Sequence, residues 1–145
     1  MSNENVEAYE RAIEAGNRRD LGGLLEELDP AVEWHSAISG MGSRVYRGAE
    51  GIRAMFRDVD ETIPDARFEV VEIRDLGDRL LALGRLRAHG RESGAQAEVP
   101  FNQLVQFRDG KATVLRTFLR TEEALEAAGV SSPTVRRPPK PRSST

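Results

Sequence analysis

RFEVVEIRDLGDRLLALGRLRAHG, residues 67–90, decides the fold. Two runs with a period of 2 flank Gly77-Asp78, which is the pattern of a β-hairpin. The same signal recurs downstream. AEVPFNQLVQF (97–107) and ATVLRTFL (112–119) flank Asp109-Gly110, a two-residue hairpin turn of the strongest kind. Upstream the apolar period is 3.6 instead. Val6, Tyr9 and Ile13 predict a first helix ending near Gly16-Asn17. Asp20 is placed to cap a short second helix with Leu21, Leu24, Leu25 and Leu28 on one face, stopped by Pro30. A short strand follows over 31–35, then a Gly- and Ser-rich stretch, SAISGMGSRVYRG (36–48), that reads as a loop. Ile52, Met55, Phe56 and Val59 predict a third helix over about 49–62. After the four strands, Thr121 is expected to cap a last helix that Gly129 ends. Helices segregated before a run of antiparallel strands predict an α+β domain, with the helices on one face of a curved sheet.

The 145 residues suit one domain, expected over 4–129, large enough to hold a core without cross-links. There is no Cys, so disulfides and thiolate chemistry are excluded. The first residues lack the basic and apolar blocks of a signal peptide, and no apolar run approaches the length of a membrane span. A cytoplasmic place is the expectation. Net charge is −3, which gives no reason to expect nucleic acid. Charge is uneven, however. The last 15 residues carry Arg136, Arg137, Lys140, Arg142 and no acid, and they are rich in Pro and Ser. Residues 130–145 are therefore expected to be a disordered basic tail. Pro138 and Pro141 would suit a docking peptide, and a solubilising tail is the plainer reading.

AVEWHS (31–36), YRGAEGIRAMFRD (46–58), the opening stretch, VQFRDGKATVLRTFL (105–119) and RTEEALEAAG (120–129), in this order, resemble the SnoaL-like proteins of the nuclear transport factor 2-like superfamily. The resemblance covers nearly all of residues 5–129. It implies a cone-like curved sheet wrapped on N-terminal helices, enclosing a deep pocket, and pairing of two copies through the outer sheet face. It does not imply one chemistry, because relatives include polyketide cyclases, ketosteroid isomerases, epoxide hydrolases and proteins that only bind.

Alternation along DPAVEWHS (29–36) places Val32 and Trp34 on one face and Glu33 and His35 on the other. The apolar pair is expected to face the hollow. In the ketosteroid isomerase branch, the resemblance sets the general-base Asp at Trp34, the oxyanion Tyr at Tyr9 and the oxyanion Asp at Gln103. An indole cannot serve as a base, so that mechanism is disfavoured. No strand carries an inward acid, which disfavours the epoxide hydrolase reaction.

Tyr9, Trp34, Met55, Phe56, Phe101, Gln103, Leu115, Thr117 and Leu119 are the expected pocket. Gln103, a buried amide, needs a partner, and Tyr9, water or a ligand carbonyl would each serve. Candidates for moving a proton are His35 and Tyr9, with a rim histidine and a core tyrosine as the rival readings. His89 reads as a surface histidine. Tyr46 and Arg47 could gate the mouth. Asp58, Asp60 and Glu61 fall off the apolar stripe of the third helix and read as solvated surface. Two distant His and no clustered acids argue against a metal site, and no phosphate-cradling or dinucleotide motif implies a cofactor. Three functions remain. One is a pocket for a small apolar or amphipathic molecule bearing a carbonyl or hydroxyl. Another is a cofactor-independent cyclase or isomerase acting on a polyketide- or steroid-like substrate. The third is an interaction module using the outer face with Arg85, Arg87, Arg116 and Phe118, its pocket vestigial.

Overall fold

The computed structural model describes residues 2–37, 44–63, 65–89 and 96–130. The expected tail beyond Val130 and the side chain of His89 lie outside the described residues.

The chain runs α1 (Ser2–Asn17), α2 (Leu21–Glu26), β1 (Leu28–Ser36), β2 (Arg44–Arg47), α3 (Gly48–Thr62), β3 (Arg67–Asp75), β4 (Arg79–His89), β5 (Gln96–Arg108), β6 (Lys111–Phe118) and α4 (Thr121–Ala128). The strands form one curved, unclosed six-stranded sheet in the order β2-β1-β6-β5-β4-β3. The two hairpins lie where their turns predict, with Gly77 at φ 96° and both Asp109 and Gly110 left-handed, at 54° and 78°. This is the mirror-image turn that matches strand twist. β1 joins β6 in parallel, which requires the long crossover through β2, α3 and the hairpins.

Several expectations are corrected. Residues 44–47, expected as part of a loop, form β2 antiparallel to β1, with Tyr46 opposite Trp34. The Ser- and Gly-rich composition of the preceding stretch hides this strand; its partner stabilises it, not its own propensity. Leu28 belongs to β1 and not to α2, and Pro30 sits inside β1, within the stretch where the register against β6 shifts. There a missing N–H is tolerated. α1 does end at Asn17, but the left-handed residue that turns the chain is Arg19, at φ 60°. Asp20 caps α2 by accepting from Gly23 N. Thr121 is not the cap of α4: that position is Arg120, with no side-chain bond, and Gly129 closes the helix in the left-handed conformation.

The sheet has two covered faces, not one. Its inner face packs on α1, α2 and α3 through Tyr9, Leu24, Val32, Ile52, Leu80 and Leu115. α4 lies on the opposite face, where Ala124, Leu125 and Ala128 bury Leu81, Leu83 and Leu104. Gly84, on the inner side of β4, faces an irregularity of β3 between Val70 and Glu72. A Cβ there would lie 2.1 Å from the Glu69 carbonyl oxygen, so only glycine permits the close approach that bends the sheet.

Candidate functional site

A cavity lies between the inner face of the sheet and the helices α1 and α3. Its volume is about 60 Å³, measured at the centre of a water-sized sphere. That is room for a few waters. Alternation sends Trp34 of β1 and Phe101 and Gln103 of β5 inward, and the 3.6 period of α3 brings Met55 and Phe56 to face them. Phe68, Leu86, Ala12 and Val59 complete most of the apolar wall. The aromatics form two edge-on pairs, Trp34–Phe56 at 6.2 Å between centroids and Phe68–Phe101 at 4.5 Å. Each such pair contributes about 0.5–1.5 kcal/mol beyond burial.

The floor holds the polar groups. Gln103 is fully buried, and the Tyr9 hydroxyl donates to its Oε1 at 2.6 Å. Burial holds the Tyr9 pKa well above its ordinary value near 10, so this hydroxyl keeps its proton. With the amide so oriented, Gln103 Nε2 is the free donor, and it has no hydrogen-bond partner. Thr117, directly opposite Gln103 on β6, is buried too, and its Oγ1 likewise has none.

The mouth is built from side chains locked by the backbone. The Asn17 amide accepts from Phe68 N and donates to Phe68 O, both at 2.9 Å, as a neighbouring strand would. The Arg19 guanidinium grips Asp60 at 2.6 Å, donates to the Gly16 and Ala66 carbonyls, and lies over the Phe56 ring at 5.2 Å.

Of the residues expected in the pocket, Trp34, Met55, Phe56, Phe101 and Gln103 line the cavity. Tyr9 stands behind Gln103, while Leu115, Thr117 and Leu119 lie off the wall, in or against the core. His35 is half-buried on the far face of β1, 3.2 Å from Glu33 Oε1. Glu33 is held below the ordinary carboxylate range, first by this bond to His35 and then by Arg47. Tyr46, expected at the mouth, is buried and donates to Asp58 at 2.6 Å; Arg44 joins the same carboxylate. Asp58 is thus a half-buried anchor for Tyr46, while Asp60 and Glu61 are exposed, Asp60 in an ion pair with Arg19. Asn17, Arg19, Ser36 and Phe68 are wall residues that the sequence pattern did not single out. The alternation of RFEVV could have placed Phe68; the roles of Asn17 and Arg19 depend on contacts with residues 66–68, which no local pattern reveals.

The chain belongs to the SnoaL-like domain family, whose model matches residues 9–115. The fold is shared with solved structures of nuclear transport factor 2-like proteins. One such protein, of unknown function, from Burkholderia pseudomallei K96243 is 28% identical over 85% of this chain and 95% of its own, with a TM-score of 0.71. TerC, crystallised with polyporic acid, is also 28% identical, over 85% of this chain and 96% of its own, with a TM-score of 0.71. A putative SnoaL-like polyketide cyclase from Jannaschia sp. CCS1 is 22% identical over 90% and 94%, with a TM-score of 0.66. No curated protein matches the sequence. No helix among the described residues is long and apolar enough to cross a membrane.

Proposed function

We propose that this SnoaL-like domain binds a small organic molecule in the aromatic cavity, with Gln103 Nε2 donating to a carbonyl or hydroxyl oxygen of the ligand. The observation that carries this is the unpartnered amide nitrogen of Gln103 on the cavity floor, in a side chain held by Tyr9 and buried completely. An unsatisfied buried donor costs about 1–3 kcal/mol, and an oxygen atom in the cavity removes that cost. The remaining wall supplies apolar contact. Among the described residues its one ionisable group, Arg19, already holds Asp60. This favours binding over proton transfer. The co-crystal of TerC with polyporic acid supports a ligand in this fold. A ring-sized ligand needs more than the present volume, and Phe56, the wall aromatic that is not fully buried, is placed to swing aside.

Trp34 is the only Trp of the chain and stands on the wall, so its fluorescence reports the cavity directly. Titration with acetophenone, and separately with polyporic acid, is expected to give a saturable change with at least one of them. Gln103→Met, close in shape, is expected to weaken that binding about tenfold, the worth of one hydrogen bond. No saturable change with either compound, or equal affinity in the variant, overturns the proposal.

A further inference from the structure

Among the described residues that line the cavity, only Ile13, Asn17, Arg19 and Phe56 are half-buried; every other one is buried. The four gather at the end of α1. Ile13 and Asn17 share one face of that helix, and Arg19 lies over the Phe56 ring at 5.2 Å. Three of them are fixed. Ile13 is β-branched in a helix, which leaves it one favoured rotamer. The Asn17 amide holds Phe68 N and O, so moving it breaks two hydrogen bonds to the edge strand β3. Arg19 is anchored on three segments: to Gly16 O of α1 at 2.8 Å, to Asp60 of α3 at 2.6 Å, and to Ala66 O before β3 at 3.0 Å. The backbone at Arg19 is left-handed, φ 60°, a conformation that arginine seldom adopts, and these bonds hold it there. Phe56 is the exception. Its ring makes no hydrogen bond, and an aromatic side chain in a helix has two favoured χ1 angles. The ring tip rests on Gly16, where one added methyl would come within 3.3 Å of it. Phe56 and Asp60 are one turn apart on α3, so one guanidinium grips both.

We infer that Phe56 is the gate of the cavity and Arg19 its latch: small molecules pass where the ring turns away from Gly16, and the ring turns only by leaving the guanidinium. This goes beyond the binding reading, because it concerns the way in and not the contacts inside; only its ligand arm rests on that reading. A cation over a part-exposed ring and a part-exposed ion pair are weak holds, so the gate opens without the chain unfolding. A molecule small enough to fit behind the closed ring enters at a rate set by the open fraction. A ring-sized ligand keeps Phe56 turned aside and binds only the open form. Cutting the latch therefore speeds entry of the first kind and tightens binding of the second, by the same factor.

The test needs no ligand. Trp34 is buried behind the gate, and quenching of its fluorescence by acrylamide in the full chain measures how often a small neutral molecule gets in. Arg19→Gly removes the guanidinium and suits the left-handed backbone, so it is expected to fold. It should raise the quenching rate constant about three- to tenfold, and Asp60→Asn, at an exposed site, should raise it by a smaller factor. Once Phe56→Ala has removed the gate, Arg19→Gly should add less than about 1.5-fold. Arg44→Ala loosens α3 at Asp58 and not at Phe56, and should leave quenching unchanged. Where acetophenone binds, Arg19→Gly should tighten it by the factor seen in quenching. Unchanged quenching in Arg19→Gly, an equal rise in Arg44→Ala, a full further rise on top of Phe56→Ala, or weaker acetophenone binding in Arg19→Gly overturns the gate and leaves the binding reading to its own titration. If acetophenone does not bind, the quenching series alone decides the gate.

Discussion

On the outer face of β3, β4 and β5, Glu69, Arg85, Arg87 and Glu98 form a closed square of ion pairs, at 2.8, 3.4, 3.8 and 3.2 Å. On the inner face of the same sheet, Gln103 and Thr117 carry no charge, yet they leave two polar atoms unpaired. The four charges are the more conspicuous feature of the sequence. The physics points the other way. Half-exposed charges that satisfy one another in water need no further partner and contribute little. Neutral groups buried without partners each carry a standing cost that some other molecule can relieve. Unmet atoms occur on both faces, since Arg85 Nε and Arg74 Nη2 also lack a hydrogen-bond partner. The arginines keep ion pairs and access to water, however, whereas Gln103 and Thr117 are uncharged and closed off from it. The difference teaches that an unmet bond weighs most where the whole side chain is buried.

The largest expected effect tests whether the inner wall depends on one glycine. Gly84→Ala should lower stability by about 3 kcal/mol or more, because the new methyl would collide with backbone and not with a side chain that can turn away. Urea unfolding measures it. A loss under about 1 kcal/mol would mean that the bend of β3 is soft and that the cavity's shape is not fixed by the sheet.

Tyr9→Phe comes next. It frees both ends of the Gln103 amide in the interior and should cost about 1–3 kcal/mol. Its pH dependence separates this bond from simple packing. Below pH about 10, Tyr9 is protonated in both the folded and the unfolded chain and adds no slope. Above that, the unfolded chain releases the proton while burial holds it in the folded one. The unfolded state then binds fewer protons, so stability falls as pH rises, by up to about 1.4 kcal/mol per unit until the folded pKa is reached. The parent should therefore lose more stability than Tyr9→Phe between about pH 10 and 11. Parallel curves would show that the hydroxyl reaches water.

Much of the inner face is legible in the sequence. One alternation in AVEWHS sets Trp34 inward, and another in PFNQLVQ sets Phe101 and Gln103 beside it, because side-chain direction in a strand is fixed by parity. Parity also held a warning about the outer face. Leu81 and Leu83 alternate with Leu80, Ala82 and Leu86, so β4 is apolar on both sides and needs cover on both; α4 provides the second cover. Long-range pairing is not legible in this way. Tyr9 and Gln103 are 94 residues apart, and Arg19 meets Asp60 across 41. β2 depends on its partner strand, and the left-handed turn at Arg19 is paired with the side-chain bonds that tie it to Asp60 and Ala66. Each of these is a consequence of the fold and not of its local sequence.

The smallest effect belongs to the outer square. Arg85→Ala and Arg87→Ala should each cost no more than about 0.5 kcal/mol, and 0.5 M salt should erase most of the difference, since these side chains are 42–43% exposed. Small numbers here are informative because the family resemblance expects this face to meet a second copy. Ion pairs sealed between two copies lose access to water, and removing one partner then costs several kcal/mol. The same two variants therefore read out the environment of the face. A loss near zero that does not vary with protein concentration means that water reaches the square. A loss above about 2 kcal/mol that deepens on dilution means that a partner copy covers it, and the contrast between a wet outer face and a sealed inner one would then hold only for the isolated chain.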